Sequence, residues 1–302
     1  MYKKLLLIVS LVLVIKGEPT PIVLWHGMGD SCCSPSSLGR FKRTLEEEIP
    51  GVYVLSLKIT GESGNYDSSY FIHPNQQVRE ACNKIANDSL LQTGFNGIGF
   101  SQGGLFMRAL QQQCPKIKMI NLITLGSPHQ GVFGLPNCLA QNNDSCKFFR
   151  GLLNHGAYLN WVQKFLVQAT YWHDPLHEDK YRKYSSFLAD VNNENDINQD
   201  YVIRLRALKK LILVKFSNDT IVQPRESQWF GYYRPGQDTE LIEMEQTALF
   251  KEDRLGLKAM KESGQLIMLE SDGNHLEYSR TWFNENILPV LLNENESKND
   301  LK

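Results

Sequence analysis

The chain has 302 residues, of which 42% are hydrophobic and 22% charged, so it can bury a core and is not a disordered chain. Its 32 Lys and Arg residues nearly balance its 33 Asp and Glu residues, giving a formal net charge of -1. That balance offers no basic surface for nucleic acid or an anionic membrane, so the function must be sought in local motifs.

Residues 1–17 have the pattern of a signal peptide. Lys3 and Lys4 precede an apolar run at residues 5–15, which has about half of the roughly 20 residues that a membrane-spanning helix needs. Polar residues follow the run. The alternative is an ordinary buried strand, but the flanking charges favour secretion. We therefore expect the mature protein to begin near residue 18 and to have no membrane span.

Cysteines and glycosylation sequons point to the same secretory route. None of the six cysteines forms a C-x-x-C pair, which argues against a zinc ribbon. The sequence alone does not determine which cysteines form disulfides. Cys138 and Cys146 flank a short polar loop and are the pair that the sequence favours most. N-x-[ST] sequons occur at four positions, Asn87, Asn143, Asn218 and Asn295.

Six short apolar runs predict the strands of a parallel sheet that is covered on both faces, at residues 22–25, 52–59, 97–100, 119–125, 211–216 and 265–269. Helical periodicity occurs between them at residues 38–49, at residues 78–85 after a plausible cap at Asn75, and at residues 102–113. This alternation predicts an α/β fold within one domain, residues 18–302.

One region, at about residues 128–207, interrupts the alternation. It shows no clear central strand and contains Gly, Pro and Asn loops together with an aromatic-rich stretch. About 80 residues are too many for a simple connection. We predict an inserted, mostly helical subdomain here.

The pattern G-x-S-x-G at residues 99–103 places Ser101 between a predicted strand and a predicted helix. This is the context of a nucleophile elbow, in which flanking glycines allow the tight turn that exposes the serine hydroxyl. The alternative is a glycine-rich turn with a surface serine.

A nucleophilic serine needs a base to accept its proton and an acid to orient that base. In α/β-hydrolases these residues follow in the order Ser, Asp or Glu, His, each after a strand. Asp219 follows the run at 211–216 and His275 follows the run at 265–269, so we predict a triad of Ser101, Asp219 and His275. Three other acids are weaker candidates, Asp174, Asp190 and Asp272.

Acyl transfer also needs hydrogen-bond donors for the developing oxyanion. We assign these to the backbone N–H groups of Gln102, which follows the nucleophile, and of Met28, in the loop after the first strand. His26 and His129 lie in glycine-rich turns and are interpreted as structural. The histidines lack metal-ligand spacing, so we expect neither a metal nor a cofactor.

Several segments of the chain resemble the lysosomal palmitoyl-protein thioesterases of type 1. The likeness runs from about residue 21 to residue 292. It is carried by LWHGMGDSCC at 24–33, GFSQGG at 99–104, HQGVFGLP at 129–136, YWHDP at 171–175, FLAD at 187–190 and DRLGLK at 253–258.

The resemblance implies an α/β-hydrolase fold and the same three catalytic residues. It also implies disulfides Cys32–Cys33, Cys82–Cys114 and Cys138–Cys146. The implied substrates are long-chain acyl thioesters, above all S-acylated proteins or peptides, which are deacylated during degradation in the lysosome. Nucleic acid is not an expected partner.

The resemblance further implies a groove for the acyl chain under the inserted subdomain. We name its candidate residues the groove candidates: Trp161, Phe165, Leu166, Tyr171 and Trp172. The alternative is a purely structural role, in which these side chains only pack the insertion onto the sheet. Two other functions remain possible from the motifs, a lipase or carboxylesterase acting on oxygen esters and a non-catalytic lipid-binding module.

Overall fold

The computed structural model describes residues 18–60, 68–134, 153 and 156–292. The predicted signal peptide, residues 1–17, lies outside the described residues, and so do the Cys138–Cys146 pair, Asn143 and Asn295. Among the described residues, no helix combines the length and apolar character needed to cross a membrane.

The centre of the described fold is a six-stranded parallel sheet. Its strands are β1 (Ile22–Trp25), β2 (Val54–Ser56), β3 (Phe95–Phe100), β4 (Met119–Leu125), β5 (Lys210–Phe216) and β8 (Leu266–Ser271), in the order β2-β1-β3-β4-β5-β8. A separate antiparallel pair consists of β6 (Tyr232–Tyr233) and β7 (Leu241–Ile242). Each of the six predicted apolar runs overlaps one strand of the large sheet, with ends that differ by up to three residues, so the predicted fold class is confirmed.

Helices cover both faces of this sheet, which is why its four central strands, β1, β3, β4 and β5, are almost continuously buried. In chain order they are α1 (Leu38–Glu48), α2 (Ser68–Phe71), α3 (Pro74–Ala86), α4 (Gln102–Gln113), α5 (Asn160–Phe165), α6 (Val167–Thr170), α7 (Glu178–Tyr184), α8 (Leu188–Val191), α9 (Gln199–Arg206), α10 (Ala248–Lys251), α11 (Leu257–Glu262), α12 (Arg280–Asn286) and α13 (Leu288–Leu291). Short 3₁₀ turns occur at Ser89–Leu91, Arg225–Trp229 and Met244–Gln246.

The start of α3 differs from the prediction. The helix begins at Pro74, and His73 rather than Asn75 is its N-cap, with His73 Nδ1 accepting a hydrogen bond from the Asn75 N–H at 3.2 Å. Proline suits the first helical position because its ring fixes φ and its missing N–H would have no helical partner there. Asn75 was therefore the wrong residue for the cap.

The helix α4, which begins directly after Ser101, is almost entirely buried. Leu105, Phe106 and Leu110 have no exposed surface, and burial of each such side chain contributes about 1.5–3 kcal/mol. A disulfide between Cys82 and Cys114 joins α3 to the residue that ends α4. This packing fixes the first turn of α4 against the end of β3.

The described part of the region between β4 and β5 contains α5 to α9 and a small apolar core of its own. Val162, Leu166, Ala169 and Trp172 pack together there with Leu153 and Ala157. A bridge between Val132 and Trp172 connects the start of this region with its middle.

Candidate active site

Ser101 lies in the turn between β3 and α4, in a backbone conformation that few residues other than glycine adopt, with φ 52° and ψ -126°. Its N–H donates to Leu125 O at 2.7 Å. The flanking glycines are required by close approach: a Cβ at Gly99 would lie 2.3 Å from Gly104 Cα, and one at Gly103 would lie 2.3 Å from His26 O. The motif therefore folds as a tight turn that raises Ser101 at the carboxyl end of the sheet.

The two other residues of the predicted triad come together at Ser101. His275 Nε2 lies 2.9 Å from Ser101 Oγ, and His275 Nδ1 lies 2.6 Å from Asp219 Oδ2. Because an ionised carboxylate only accepts, Nδ1 carries the proton and Nε2 is left to accept the serine proton. The Asp219 side chain is fully buried, whereas that of His275 is 13% exposed, so the site opens to solvent on the serine side.

The loops that carry Asp219 and His275 are joined to each other. Asn218 N donates to Gly273 O at 3.0 Å. The Asn274 side-chain oxygen accepts hydrogen bonds from the Thr220 N–H and hydroxyl, both at 3.0 Å, and from the His275 N–H at 2.7 Å. Asn274 was not singled out from the sequence, since nothing in its local pattern signals contact with a loop some 54 residues away.

Hydrogen bonds fix the Asp219 carboxylate on both oxygens. The N–H groups of Ile221 and Val222 donate to Oδ1 at 2.7 and 2.9 Å. The Gln228 side chain donates to Oδ2 at 2.8 Å, beside the bond from His275. Like Asn274, Gln228 carries no local sequence signal for its contact with the triad.

The loop after β1, which carries Met28, packs directly against the nucleophile. A Cβ at Gly27 would lie only 3.2 Å from Ser101 Cβ. The next turn is held by Ser69, whose hydroxyl accepts the Gly29 N–H at 2.9 Å and whose carbonyl accepts the Gln102 side-chain amide at 3.0 Å. Both proposed oxyanion donors, Met28 and Gln102, thus belong to segments that meet beside Ser101.

Comparison with known proteins places this geometry in a family. A model of the palmitoyl protein thioesterase family matches residues 21–275. The chain belongs to that family.

Two curated relatives show how far the similarity extends. Palmitoyl-protein thioesterase 1 of Caenorhabditis elegans is 48% identical over 265 residues, covering 87% of this chain and 89% of the relative. A lysosomal thioesterase of Bos taurus is 31% identical over 256 residues, covering 82% of this chain and 78% of the relative. A solved esterase structure from Pyrococcus furiosus covers 91% of this chain and 80% of its own, with 14% identity and a TM-score of 0.48.

In this member of the palmitoyl protein thioesterase family, a cavity of about 710 Å³ opens at Ser101. It extends between α1 and α12. Its walls include the apolar side chains of Phe41, Leu276 and Phe283, with Arg40 and Arg280 among its polar members. Phe41 packs edge-on against both Phe100 and Phe283, so the aromatic side of the cavity is rigidly held.

The structure does not bring the five groove candidates together around this cavity, and none of them lines it. Leu166 and Trp172 are buried in the small core of the insertion. Tyr171 is buried too, and its hydroxyl donates to Gln102 Oε1 at 3.0 Å, while burial raises its pKa. Trp161 and Phe165 are 54% and 65% exposed.

The weaker acid candidates lie away from the imidazole of His275. Asp174 contacts His177, Asp190 accepts from Tyr201 Oη, and Asp272 accepts from Ser217 Oγ at 3.4 Å. Each carboxylate is engaged by a neighbour of its own, so the structure offers Asp219 as the acid in contact with His275.

The two turn histidines have structural surroundings. His26 Nδ1 lies 2.8 Å from Gly27 O, and His129 Nε2 lies 3.0 Å from Thr124 Oγ1. Burial, with a smaller effect from the Arg108 charge, lowers the pKa of His129 well below its ordinary value. Within the described ranges, no group of three His, Cys, Asp or Glu side chains could hold a metal ion.

Both remaining predicted disulfides are present, Cys32–Cys33 after the Met28 loop and Cys82–Cys114 at the end of α4. Of the sequons, Asn87 and Asn218 are exposed. Asn218 directly precedes Asp219, at the rim of the site.

Proposed function

We propose that the protein is a serine thioesterase that removes long-chain fatty acyl groups, palmitoyl among them, from S-acylated cysteines of proteins or peptides. The single observation that carries this proposal is the chain of hydrogen bonds from Asp219 through His275 to Ser101, in a member of the palmitoyl protein thioesterase family. The relatives named above supply the class of substrate.

In the proposed reaction, Ser101 Oγ attacks the thioester carbonyl carbon while His275 Nε2 accepts the hydroxyl proton. The negative charge that develops on the carbonyl oxygen is stabilised by the N–H groups of Gln102 and Met28. The carbon–sulfur bond then breaks, and His275 gives its proton to the departing thiolate. Water, deprotonated by His275, finally hydrolyses the acyl ester on Ser101, releasing the fatty acid and the free serine.

The same residues could act on oxygen esters, so the decisive experiment compares leaving groups. Two peptides that differ only in carrying S-palmitoyl cysteine or O-palmitoyl serine are hydrolysed side by side, with Ser101→Ala as the blank. We expect a higher kcat/KM for the thioester, because a thiolate leaves without the full proton transfer that an alkoxide needs. A preference for the oxygen ester would identify a lipase or carboxylesterase instead.

The secretory features of the sequence and the names of the relatives support a proposal for the site of action. We propose entry into the secretory pathway by residues 1–17, glycosylation at Asn87, Asn143, Asn218 and Asn295, a third disulfide at Cys138–Cys146, and delivery to the lysosome, in part with secretion. The lysosomal thioesterase of Bos taurus supports the last step by its name. Loss of the glycans on peptide N-glycosidase treatment, with co-fractionation with lysosomal markers, tests the route.

The acyl chain is proposed to contact the insertion at about 128–207 through the groove candidates. Trp161 and Phe165 have free apolar surface for such a contact. Leu166, Tyr171 and Trp172 can only shape the wall from behind, because they are already buried.

A further inference from the structure

Gln228 lies in the 3₁₀ turn Arg225–Trp229, after the loop that carries Asp219, and only 1% of it is exposed. Its side-chain amide makes two hydrogen bonds. Nε2 donates to Asp219 Oδ2 at 2.8 Å, and Oε1 accepts the N–H of Phe216 at 3.0 Å. The amide therefore connects the last residue of β5 with the carboxylate that contacts His275.

The orientation of this amide is determined by its partners. The Phe216 N–H can only donate, so the oxygen of the amide must face it. The NH₂ group is thereby directed at Asp219, which can only accept. If the amide were flipped, its NH₂ group would face the Phe216 N–H and its oxygen would face the Asp219 carboxylate. Neither of these buried groups would then have a hydrogen-bond partner in Gln228.

Asp219 Oδ2 accepts two hydrogen bonds, one from Gln228 and one from His275. The backbone donors of Ile221 and Val222 both contact Oδ1, so they leave the carboxylate free to tilt about that oxygen. Gln228 is the contact that fixes Oδ2, and with it the direction in which the His275 ring is held.

We propose that Gln228 is a positioning residue of the triad, which holds Asp219 Oδ2 in the place where it orients His275 towards Ser101. This inference rests on the proposed function, since it assigns Gln228 a part in the same reaction. It differs from a purely structural role at the end of β5, which would affect the stability of the protein and not the reaction.

The test uses two variants of Gln228 in the full-length protein. Gln228→Met keeps the approximate shape of the side chain and removes the donor to Asp219. We expect kcat to fall roughly 10- to 100-fold with little change in KM, because small misplacements of catalytic groups cause losses of that size. Gln228→Glu can donate to Asp219 only while the two carboxyl groups share a proton. Its activity should approach that of the unaltered protein at acid pH and fall as pH rises.

Asn121→Leu is the matched control, because Asn121 is also nearly fully buried, at 2% exposed, and its side-chain amide donates to Asn96 Oδ1 at 2.9 Å in the first half of β4, away from the triad and the insertion. It should lower the melting temperature about as much as Gln228→Met and leave kcat and its pH profile unchanged. Hydrolysis of an S-palmitoyl peptide and the rate at which a fluorophosphonate labels Ser101 are both measured.

The outcomes separate this inference from the proposed function. Normal hydrolysis and labelling by Gln228→Met would overturn the positioning role and leave the thioesterase proposal standing. So would a Gln228→Glu profile parallel to that of the unaltered protein. If the unaltered protein neither hydrolyses the peptide nor reacts with the fluorophosphonate, the proposed function itself fails.

Discussion

Two parts of the molecule follow the carboxyl ends of sheet strands. One is the pair of loops that carry Asp219 and His275, and the other is the insertion between β4 and β5. Different kinds of hydrogen bond hold these two parts in place. The two loops are joined backbone to backbone, by Asn218 N to Gly273 O and by Ser217 N to Ser271 O at 3.1 Å. The later helices of the insertion are held by side chains of α4. Arg108 donates to Val191 O and Asn192 Oδ1, and Gln112 donates to Val191 O.

This difference matches the two tasks that we propose for the site, reaction at the triad and selection of the acyl chain at the insertion. Backbone hydrogen bonds persist when a side chain is replaced, so the spacing of Asp219 and His275 is insulated from most substitutions. The start of the insertion has backbone bonds to the rest of the chain, Phe133 N to Gln223 O at 2.8 Å and His129 N to Ser227 O at 3.1 Å, but its later helices are positioned by polar side chains and a small apolar core. Changes in the insertion should therefore alter which acyl chains are used, while changes in the triad should abolish the reaction.

The largest expected effect is the loss of turnover when a residue of the triad is replaced. Ser101→Ala should abolish turnover and leave the fold intact, because the hydroxyl is the proposed nucleophile and the turn accepts alanine as readily as serine. Asp219→Asn should be nearly as damaging, since an amide in place of the carboxylate favours the wrong His275 tautomer. Losses of several orders of magnitude in kcat are typical of triad members.

Asp272→Asn is the matched control for Asp219→Asn. Asp272 lies in the same pair of loops, yet its carboxylate accepts from Ser217 Oγ and not from His275. It should keep most of the activity. If Asp272→Asn or Asp190→Asn were the inactive variant and Asp219→Asn the active one, the acid would be wrongly assigned.

A smaller effect, on chain length, tests the insertion. Extending an acyl thioester from about 8 to about 14 carbons adds about six methylenes, each worth about 0.8 kcal/mol when buried. Ordering of the chain offsets part of this, so kcat/KM should rise roughly a hundredfold. Combined Trp161→Ala and Phe165→Ala should flatten that rise, measured below the micelle concentration of each substrate.

Two further variants decide where the chain lies. Ile203→Ala removes a comparably exposed apolar side chain on α9, 64% exposed, and should leave the chain-length profile unchanged. Phe41→Ala enlarges the cavity between α1 and α12. If only Phe41→Ala flattened the profile, the acyl groove would be that cavity and the groove candidates would merely pack the insertion.

The smallest expected effect concerns stability and pH. Burial lowers the pKa of His129, with Arg108 adding to the shift, so an unfolded chain takes up a proton near pH 6.5 that the native protein resists. Stability is then complete above about pH 6.5 and is lost as pH falls, by up to about 1.4 kcal/mol per pH unit. His129→Gln should make urea unfolding less pH-dependent between about pH 7.5 and 5.

His129→Asn is the control, because it also removes the titratable ring. Its slope of stability against pH should match that of His129→Gln, whatever its overall stability. Equal slopes for His129→Gln and the unaltered protein would mean that His129 is protonated as easily in the native state as in the unfolded state.

The sheet and the residues that meet at its edge could be predicted because their signals are local. Strands covered on both faces are largely apolar, as the fully buried β3 shows, in which Asn96 is the one polar residue. Ser101, Asp219 and His275 each follow a strand in the chain order typical of α/β-hydrolases. Parallel strands then bring their carboxyl ends to one edge, so three distant residues converge without further information.

The remaining parts of the site could not be predicted because they depend on contacts between segments. Gln228 and Asn274 act through amide side chains whose partners lie in other turns. The described helices of the insertion have only four to eight residues, too few to show a helical period. Phe165 and Trp172 look alike in the sequence because both are aromatic, but Phe165 is exposed and Trp172 is buried.

The parallel order of the sheet affects when the active site forms during synthesis and folding. Ser101 and His275 are 174 residues apart, and His275 follows β8, which reaches its place only by pairing with β5. During synthesis, the nucleophile and the strand that precedes it exist long before their base does. A nascent chain thus carries an inert serine, and hydrolytic activity arises only when β8 pairs with β5. Turnover can consequently serve as a readout of complete folding.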